Sequence, residues 1–271
     1  MIADTPLARE FYQKGRVESC PVIDIHGHMG AFYGIWMPEA SADEMVRTMD
    51  RAGVRLLCFS HHHALLCPDV GNAATVDAVR RHPHRLRGYV LINPNYPDEI
   101  ANDLNAYDAH ADVFVGLKLL ASYHQKAWDH PAYAPAWEFA DARGLMVLSH
   151  TWGGDRYCGE AMVEKIAGKY PNLKLILAHC LHGRWDAAVG MARTFPNVYL
   201  DLCAVLDDRG VVEMFVDAGL IDRVLFGTDL PWFAPHQGIG ALLSAGITDE
   251  DRHKILHRNA EKLLASTGVT L

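Results

Sequence analysis

The fold of this chain is decided by residues 22–28, VIDIHGH, a short apolar strand that ends in two histidines. Side chains alternate between the two faces of a strand, so His26 and His28 point to the same side as Asp24. Two imidazoles beside a carboxylate are costly to bury unless a partner satisfies them, and a divalent metal ion does this well. For an isolated His-x-His pair, hydrogen-bonded core histidines are the better interpretation. The rest of the chain reverses that choice.

Length and charge limit the classes of protein to consider. The chain has 271 residues, of which 50% are hydrophobic and 21% charged. It is long for one domain unless that domain is a barrel, and a (β/α)8 barrel needs about 250 residues. The net charge of -8 and the absence of a lysine or arginine run argue against a nucleic-acid partner. We therefore expect a small-molecule substrate.

Compartment and redox state are predicted from what the sequence does not contain. No apolar run reaches the roughly 18 residues of a membrane span, and residues 1–10 lack the blocks of a signal peptide. We expect a cytoplasmic protein without membrane contact. Scattered cysteines without a Cys-x-x-Cys pair then predict ordinary buried thiols. These cysteines are Cys20, Cys58, Cys67, Cys158, Cys180 and Cys203.

Apolar, β-branched runs recur along the chain, and each is followed by a stretch with helical periodicity. Their starts lie about one βα unit apart, which predicts eight strands that alternate with helices. The predicted strands are Val22–His26, Val54–Ser60, Leu86–Asn93, Val113–Leu119, Leu145–His150, Leu173–His179, Val198–Cys203 and Val224–Asp229.

Alternation of strands and helices favours parallel pairing and closure into one α/β barrel. The first helix has readable ends, since Ser41 and Glu44 form a capping box and Gly53 follows its last turn. No linker or change of composition interrupts the pattern, so residues 1–271 are interpreted as a single (β/α)8 TIM barrel. An open doubly wound sheet is the alternative. A nucleotide-binding version would need a G-x-G-x-x-G turn, which residues 27–30 lack.

Polar side chains stand at the carboxyl ends of these otherwise apolar strands. In a TIM barrel those ends form the mouth where the βα loops converge and function is located. We therefore predict that the strand-end side chains share one cavity, with a metal site at the carboxyl ends of the strands. They are His26, His28, Lys118, His150, His179 and Asp229.

Six motifs together give the chain a family resemblance. They are DIHGH at 24–28, GLK at 116–118, LSH at 148–150, LAH at 177–179, FGTDLP at 226–231 and ILHRNAEKLL at 255–264. In this order and spacing the chain resembles the amidohydrolase superfamily. Specifically, it resembles the amidohydrolase-related branch that includes aminocarboxymuconate semialdehyde decarboxylase-like enzymes. The resemblance covers the whole chain.

The resemblance implies that a divalent metal ion is held by His26, His28, His150 and Asp229. Neutral imidazoles and a carboxylate are good ligands for zinc, so zinc is the expected ion. The resemblance also implies that Asp229 takes a proton from metal-bound water, and that His179 polarises the substrate or returns the proton. These two residues are the expected catalytic pair. Asp24 is expected to orient the histidines of the first strand from behind rather than to bind the metal.

The role of Lys118 distinguishes a two-metal centre from a one-metal centre. In two-metal members of the superfamily, a lysine at this place is carboxylated and bridges both ions, and His150 and His179 serve the second metal. In the amidohydrolase-related branch, the same Gly-x-Lys occurs beside a single metal, where the lysine contacts an anionic substrate group. We favour one ion, and the two-ion arrangement stays open.

Weaker candidates lie on the loops that follow the strands. Arg156 and Arg184 are candidates for binding a substrate carboxylate, although surface positions are equally expected. Trp152, Trp232 and Phe233 are placed to line an apolar pocket. The histidines of these loops are expected to be wet loop residues rather than substrate contacts. They are His61, His62, His63, His124, His182 and His236.

Two enzymatic reactions fit these residues. The favoured one is metal-dependent hydrolysis of a small ester, lactone or amide by metal-activated water. The alternative is metal-dependent, non-oxidative decarboxylation of an unsaturated or aromatic carboxylic acid. An arginine at the mouth would favour decarboxylation. The family's decarboxylases usually carry longer loops over the mouth, so this near-minimal barrel favours hydrolysis.

Two further classes are disfavoured. A metal-binding barrel without catalysis would not need the acid and base supplied by His179 and Asp229. A phosphoesterase of the deoxyribonuclease-like branch would carry a glutamate where this chain has Lys118. The oligomeric state is not determined by the sequence, and a homo-oligomer stays open.

Overall fold

A computed structural model of the protein describes residues 4–205 and 208–267. Eight strands form one parallel sheet in which spatial order follows chain order. The strands are β1 Val22–Met29, β2 Val54–His61, β3 Leu86–Ile92, β4 Phe114–Leu119, β5 Met146–Trp152, β6 Lys174–His182, β7 Val198–Asp201 and β8 Val224–Leu225.

Helices follow the strands and cover the outside of the sheet. They are α1 Pro6–Lys14, α2 Ala42–Ala52, α3 Pro68–Arg81, α4 Pro97–Ala106, α5 Ala121–His124, α6 Ala134–Arg143, α7 Glu160–Lys169, α8 Trp185–Thr194, α9 Val211–Asp217, α10 Pro235–Ser244, α11 Asp249–His253 and α12 Asn259–Ser266. A π-helical turn, Lys254–Arg258, joins α11 to α12. The predicted capping box opens α2, and Gly53 ends this helix with a left-handed φ of 78°. No helix of the described residues is long and apolar enough to cross a membrane.

The barrel closes between β1 and the segment that follows β8. The backbone amide of Ile25 donates to the carbonyl of Phe226 over 3.0 Å, and that of Asp229 donates to the carbonyl of His26 over 2.7 Å. A third bond of 2.7 Å runs from the amide of His28 to the carbonyl of Leu230. These bonds join β1 to the segment that directly follows β8, so the sheet closes on itself. The predicted TIM barrel is confirmed.

Strand lengths differ from the predicted ones at the mouth of the barrel. Strand β1 continues to Met29 and β6 to His182, whereas β7 ends at Asp201 and the ladder of β8 ends at Leu225. The prediction that β8 runs to Asp229 is wrong in this respect. After Leu225 the chain leaves the β7 ladder, and its backbone bonds with β1.

Asp24 fastens this closure from inside the barrel. Its Oδ1 accepts 3.1 Å bonds from the backbone amides of His26 and Thr228, and its Oδ2 accepts the hydroxyl proton of Thr228. The carboxyl is fully buried, and burial raises its pKa to about 8. Asp24 therefore binds backbone amides and the Thr228 hydroxyl rather than imidazole rings. This corrects the expectation that it orients the histidine side chains.

The last helix is tied to β8 by Asn259. Its Nδ2 donates to the carbonyls of Ile221 and Val224 over 2.7 and 2.8 Å. Leu263 and Leu264 of the same helix pack in a buried cluster with residues from the strands. Asn259 thus fixes the start of the strand that leads into the mouth.

We predict that Asn259→Ala lowers the free energy of unfolding by about 2 kcal/mol, because two carbonyls lose their buried donor. Urea denaturation followed by circular dichroism measures this loss. Asn102→Ala is the matched control, since Asn102 is exposed on α4 and its replacement should leave the midpoint nearly unchanged. Equal midpoints for the two variants would contradict the tethering role.

Candidate active site

A cavity of about 210 Å³ lies at the carboxyl ends of the strands. It brings together every strand-end side chain predicted to share the mouth. Its lining comprises His26, His28, His62, Lys118, Leu120, Tyr123, His150, Trp152, His179, Ala204, Asp229, Trp232 and Phe233.

Three donor atoms converge on one point of the cavity floor. Nε2 of His26 and Nε2 of His28 are 3.2 Å apart, and Oδ1 of Asp229 lies 3.2 Å and 3.0 Å from them. This carboxylate oxygen is buried and has no hydrogen-bond partner among the described residues. Burial lowers the pKa of both histidines, so their rings are neutral. A carboxylate oxygen and two imidazole nitrogens at these distances fit a divalent cation.

Asp201, at the end of β7, fixes which nitrogen of His26 is available. Its Oδ2 lies 2.7 Å from Nδ1 of His26, and both side chains are almost fully buried. A proton on Nδ1 satisfies the carboxylate and leaves the lone pair on Nε2, which faces Asp229. A carboxylate behind a histidine is the usual support of a metal ligand. Sequence reasoning missed Asp201, although its place after the apolar run of β7 was a usable signal.

Gly227 makes the approach of Asp201 to His26 possible. A Cβ atom at position 227 would lie 2.1 Å from Oδ1 of Asp201 and 2.9 Å from Cβ of His26. Real Cβ contacts do not reach these distances, so any side chain here would push the two residues apart. The glycine of the FGTD motif is therefore required by packing.

Lys118 is fully buried beside the donor cluster. Its Nζ lies 2.7 Å from Nε2 of His26. Burial lowers the pKa of this lysine to about 8, against the opposing effect of Asp229 and Asp201. Among the described residues, Lys118 is the only lysine or arginine that lines the cavity.

His150 and His179 form the second side of the floor. Their ring centroids are 4.8 Å apart, and His179 lies 5.3 Å from the ring of His26. Nδ1 of His179 is 3.3 Å from the carbonyl of Cys203, which places the proton on Nδ1. Burial lowers the pKa of both rings to about 3. Both are therefore neutral in the metal-free protein, and each can serve as a ligand or accept a proton.

Backbone strain aims two of the predicted catalytic side chains into the cavity. His179 and the two residues after it have φ values of 65°, 49° and 55°, and Asp229 has a φ of 65°. Non-glycine residues adopt this left-handed region at a cost of about 1 kcal/mol or more each. Such strain persists only where surrounding bonds impose it, and it is concentrated at functional sites.

Cys203 also lies near the donor cluster. Its sulfur is within 4.8 Å of the ligand atoms that His26 and Asp229 offer. The sequence predicted an ordinary buried thiol here, and the thiol is buried, but its neighbours are those of a metal site. A second correction concerns Cys67, which is exposed rather than buried. Its position directly before α3 places it on a surface loop.

The upper part of the cavity is aromatic. Trp152 stacks on His150 with ring centroids 6.0 Å apart, and Tyr123 meets the same imidazole edge to face at 5.9 Å. Trp232 and Phe233 line the opposite wall, as predicted. Trp152 is 40% exposed and Phe233 is 39% exposed, so the aromatic wall reaches the surface.

His62 belongs to the site, which corrects the expectation of a wet loop. Its ring is buried and stacks on His28 with centroids 5.0 Å apart. Nδ1 of His62 lies 2.7 Å from the carbonyl of Gly30, and Nε2 accepts a 3.1 Å bond from the indole of Trp232. Both ring nitrogens of His62 are therefore engaged, and the ring holds His28 and Trp232 in position. His61 and His124 are also buried, whereas His63 is exposed.

Neither candidate arginine reaches the cavity. Arg156 is exposed and contacts the neighbouring Tyr157. Arg184 is 65% exposed at its side chain and pairs with Glu160 over 3.4 Å. Of the other loop histidines, His182 packs on Trp152, outside the cavity lining. A substrate carboxylate in this cavity would therefore meet Lys118 rather than an arginine.

An eight-stranded parallel barrel with imidazoles and a carboxylate at its mouth is typical of metal-dependent TIM-barrel enzymes. The sequence model of the amidohydrolase family matches residues 23–265, and the chain belongs to that family. This confirms the resemblance found in the sequence. None of the curated proteins compared with the chain matches it.

Solved structures share the fold at low sequence identity. An uncharacterised TIM-barrel protein from Bordetella bronchiseptica is 21% identical, with a TM-score of 0.77 over 92% of this chain and 99% of that one. A 2,6-dihydroxybenzoate decarboxylase in complex with 2,6-dihydroxybenzoate is 16% identical, with a TM-score of 0.73 over 91% and 99%. A dihydroxybenzoic acid decarboxylase from Polaromonas, with bound manganese and 2-nitroresorcinol, is 18% identical, with a TM-score of 0.70 over 91% and 97%.

We predict that the combined change His26→Ala and His28→Ala lowers the metal content by one ion per chain. Two of the three converging donors are then lost, while the apolar core strands keep their packing. Elemental analysis measures the metal, and circular dichroism checks the fold. The control replaces two exposed histidines, His63→Ala and His84→Ala, and should keep the wild-type content. Unchanged metal in the first variant would refute the donor assignment.

We also predict that Asp201→Asn weakens metal binding 10- to 100-fold, because the amide cannot hold the Nδ1 proton of His26 as a carboxylate does. Competition with a chelator measures the affinity. The control is Asp77→Asn, a change of the same kind at an exposed position of α3. An affinity equal to that of the control would show that Asp201 serves the fold only.

Proposed function

We propose that this protein is a metal-dependent, non-oxidative decarboxylase that acts on an aromatic carboxylic acid. The observation that carries the proposal is the division of the cavity into two parts. The floor holds neutral imidazoles, a carboxylate and one buried lysine, and the walls are aromatic. A flat ring with a carboxylate at one end matches both parts in shape and in charge.

The metal would be held by His26, His28, Asp229 and His150. It would supply a Lewis acid for the oxygen atoms of the substrate. The sequence favours zinc, whereas the related Polaromonas decarboxylase is described with manganese. Imidazole and carboxylate donors accept either ion, so the proposal specifies a divalent cation and favours a single one.

Lys118 is assigned to the substrate carboxylate. It carries the only lysine or arginine charge on the lining formed by the described residues. Burial lowers its pKa, whereas the nearby carboxylates of Asp229 and Asp201 favour its charged form. A buried ammonium binds an anion strongly, because little water competes for it. The planar walls formed by Trp152 and Trp232 would then hold the ring of the acid.

The reaction needs one proton for each carbon dioxide released. A proton is added to the ring carbon that bears the carboxylate, and the electron pair of the breaking carbon–carbon bond returns to the ring. The proton comes from solvent, and His179 and Asp229 are the groups assigned to pass it to the ring carbon, because both line the cavity. With its proton on Nδ1, His179 could accept a hydrogen bond from a ring hydroxyl at Nε2.

This proposal replaces the hydrolysis favoured from loop lengths. Short loops indicated an open mouth, but aromatic side chains cover part of it. Phe32, from the loop after β1, packs on Trp232 with centroids 4.9 Å apart, on His62 at 5.3 Å and on Tyr123 at 6.4 Å. These contacts join loops after four different strands. Excluding water from a carbanion-like state therefore does not require a long lid.

Hydrolysis of a small ester or lactone is the second candidate function. It is favoured by the buried Oδ1 of Asp229, which has no hydrogen-bond partner among the described residues and could take a proton from an attacking water. It does not use the charge of Lys118 or the aromatic walls.

We predict that the protein releases carbon dioxide from one or more hydroxylated aromatic acids, and that metal removal abolishes this activity. Product formation is followed by nuclear magnetic resonance, with lactones and esters tested in parallel. Lys118→Met should lower kcat/KM on the order of 10²-fold by removing the charge that binds the carboxylate. Lys126→Met is the matched control, because Lys126 lies outside the cavity and binds Asn95.

Two results would overturn the proposal. Metal-dependent hydrolysis of a carbonyl substrate without carbon dioxide release from any acid would establish the second candidate. Equal kcat/KM values for the two lysine variants would remove Lys118 from substrate binding.

A further inference from the structure

A second group of metal-ligating side chains lies away from the mouth, just before the first residue of β1. Cys20, His253 and His257 each offer one ligand atom, and these atoms lie within 4.8 Å of one another. Cys20 lies two residues before Val22, the first residue of β1. His253 ends α11, and His257 lies within the π-helical turn that joins α11 to α12. That turn packs against β1 and β8. The group therefore joins the start of the barrel to the end of the chain.

The two histidines share one helical face because they are four residues apart. Nδ1 of His253 lies 3.2 Å from Nε2 of His257. The π-helical turn shifts the backbone within this interval, and such turns are frequent at functional sites. Zinc bonds of about 2.0 to 2.3 Å place neighbouring ligand atoms ~3 to 4 Å apart, so the spacing of the imidazoles suits one ion.

The other nitrogen of His257 faces a carboxylate. Nδ1 of His257 lies 3.2 Å from Oε1 of Glu261 on α12. The contact is close enough for an ion pair, but its geometry is not that of a hydrogen bond, and this buried nitrogen has no hydrogen-bond partner among the described residues. A carboxylate behind a histidine is the arrangement that orients metal-bound imidazoles.

We propose that Cys20, His253 and His257 form a structural zinc site, with Glu261 orienting His257. A thiolate and two imidazoles bind zinc in preference to calcium, magnesium and manganese. His253 is only half-buried, which leaves room for a water molecule as the fourth ligand. The bound ion would connect the approach to β1 with the helices that close the chain.

The position of the site indicates a role in stability. The amino-terminal end of a TIM barrel carries stabilising rather than catalytic residues. The sulfur of Cys20 donates a hydrogen bond to the carbonyl of Pro21 over 3.3 Å, so the thiol carries its proton when no ion is bound. Coordination releases that proton, since a zinc-bound cysteine is deprotonated. The site should therefore bind more weakly as the pH falls.

Cobalt titration of metal-free protein tests the proposal, because a thiolate bound to cobalt gives an ultraviolet charge-transfer band. The mouth is first disabled by His26→Ala and His28→Ala. This protein should bind one cobalt ion per chain with the band, and zinc should raise its melting temperature. Adding Cys20→Ser should remove both the band and the shift. Adding Cys67→Ser or Cys203→Ser should remove neither.

If the mouth variant does not fold, the same titration compares Cys20→Ser with Cys67→Ser in the otherwise unchanged chain. There Cys20→Ser should lower the metal content by one ion relative to Cys67→Ser. A band and a metal content that do not depend on Cys20 would overturn the proposal.

Discussion

The hydrogen bond from the amide of Asp229 to the carbonyl of His26 is the contact on which the site depends. It closes the barrel and also sets the separation of the carboxylate from the imidazoles of β1. The same closure is fastened by Asp24, whose carboxyl bonds backbone on both sides of the seam. A barrel that failed to close here would lose its donor cluster as well as its fold. Stability and function are therefore coupled at the seam between the first and last strands.

The site concentrates ionisable groups that burial opposes. Asp24, Asp201 and Lys118 are all almost fully buried, and burial shifts the pKa of each toward its neutral form. Asp229 behaves differently, because the surrounding histidines hold its pKa well below the ordinary value despite burial. Such opposed environments are typical of sites that bind metal or move protons. Burying these groups lowers the stability of the fold. Backbone hydrogen bonds and the surrounding apolar core offset this cost and hold the groups in place.

The sequence predicted the barrel well because its signals are local and repeated. Each βα unit contains its own apolar run and helix ends, so errors in one unit do not alter the topology. Strand-end residues such as His150 and His179 were predicted for the same reason. The residues it missed act through contacts distant in sequence. Asp201 is recognised only when its carboxylate is seen behind His26, and His62 only when its ring is seen on His28.

Chemistry was harder to predict than position, since it depends on which charges face the cavity. The sequence offered two arginines and one lysine as partners for a carboxylate, and only packing shows that the arginines point to solvent. Loop length likewise gives an incomplete account of how the mouth is covered. A lid was judged from the number of residues after each strand, whereas the covering is made by ring contacts between Phe32, Tyr123 and Trp232.

Lys118 and a metal ion compete for the same lone pair. Nζ of Lys118 lies 2.7 Å from Nε2 of His26, and this nitrogen is also the one directed at Asp229. An imidazole nitrogen has one lone pair, so it can accept the ammonium proton or bind a cation, but not both. A cation bound to His26 would therefore take the place of this hydrogen bond and leave the Lys118 amine free to bind another group in the cavity. Under the proposed function, Lys118 would then be available to the substrate carboxylate, while the nearby cation would lower its pKa further. Lys118 thereby stands between the donor atoms on the cavity floor and the aromatic walls above them.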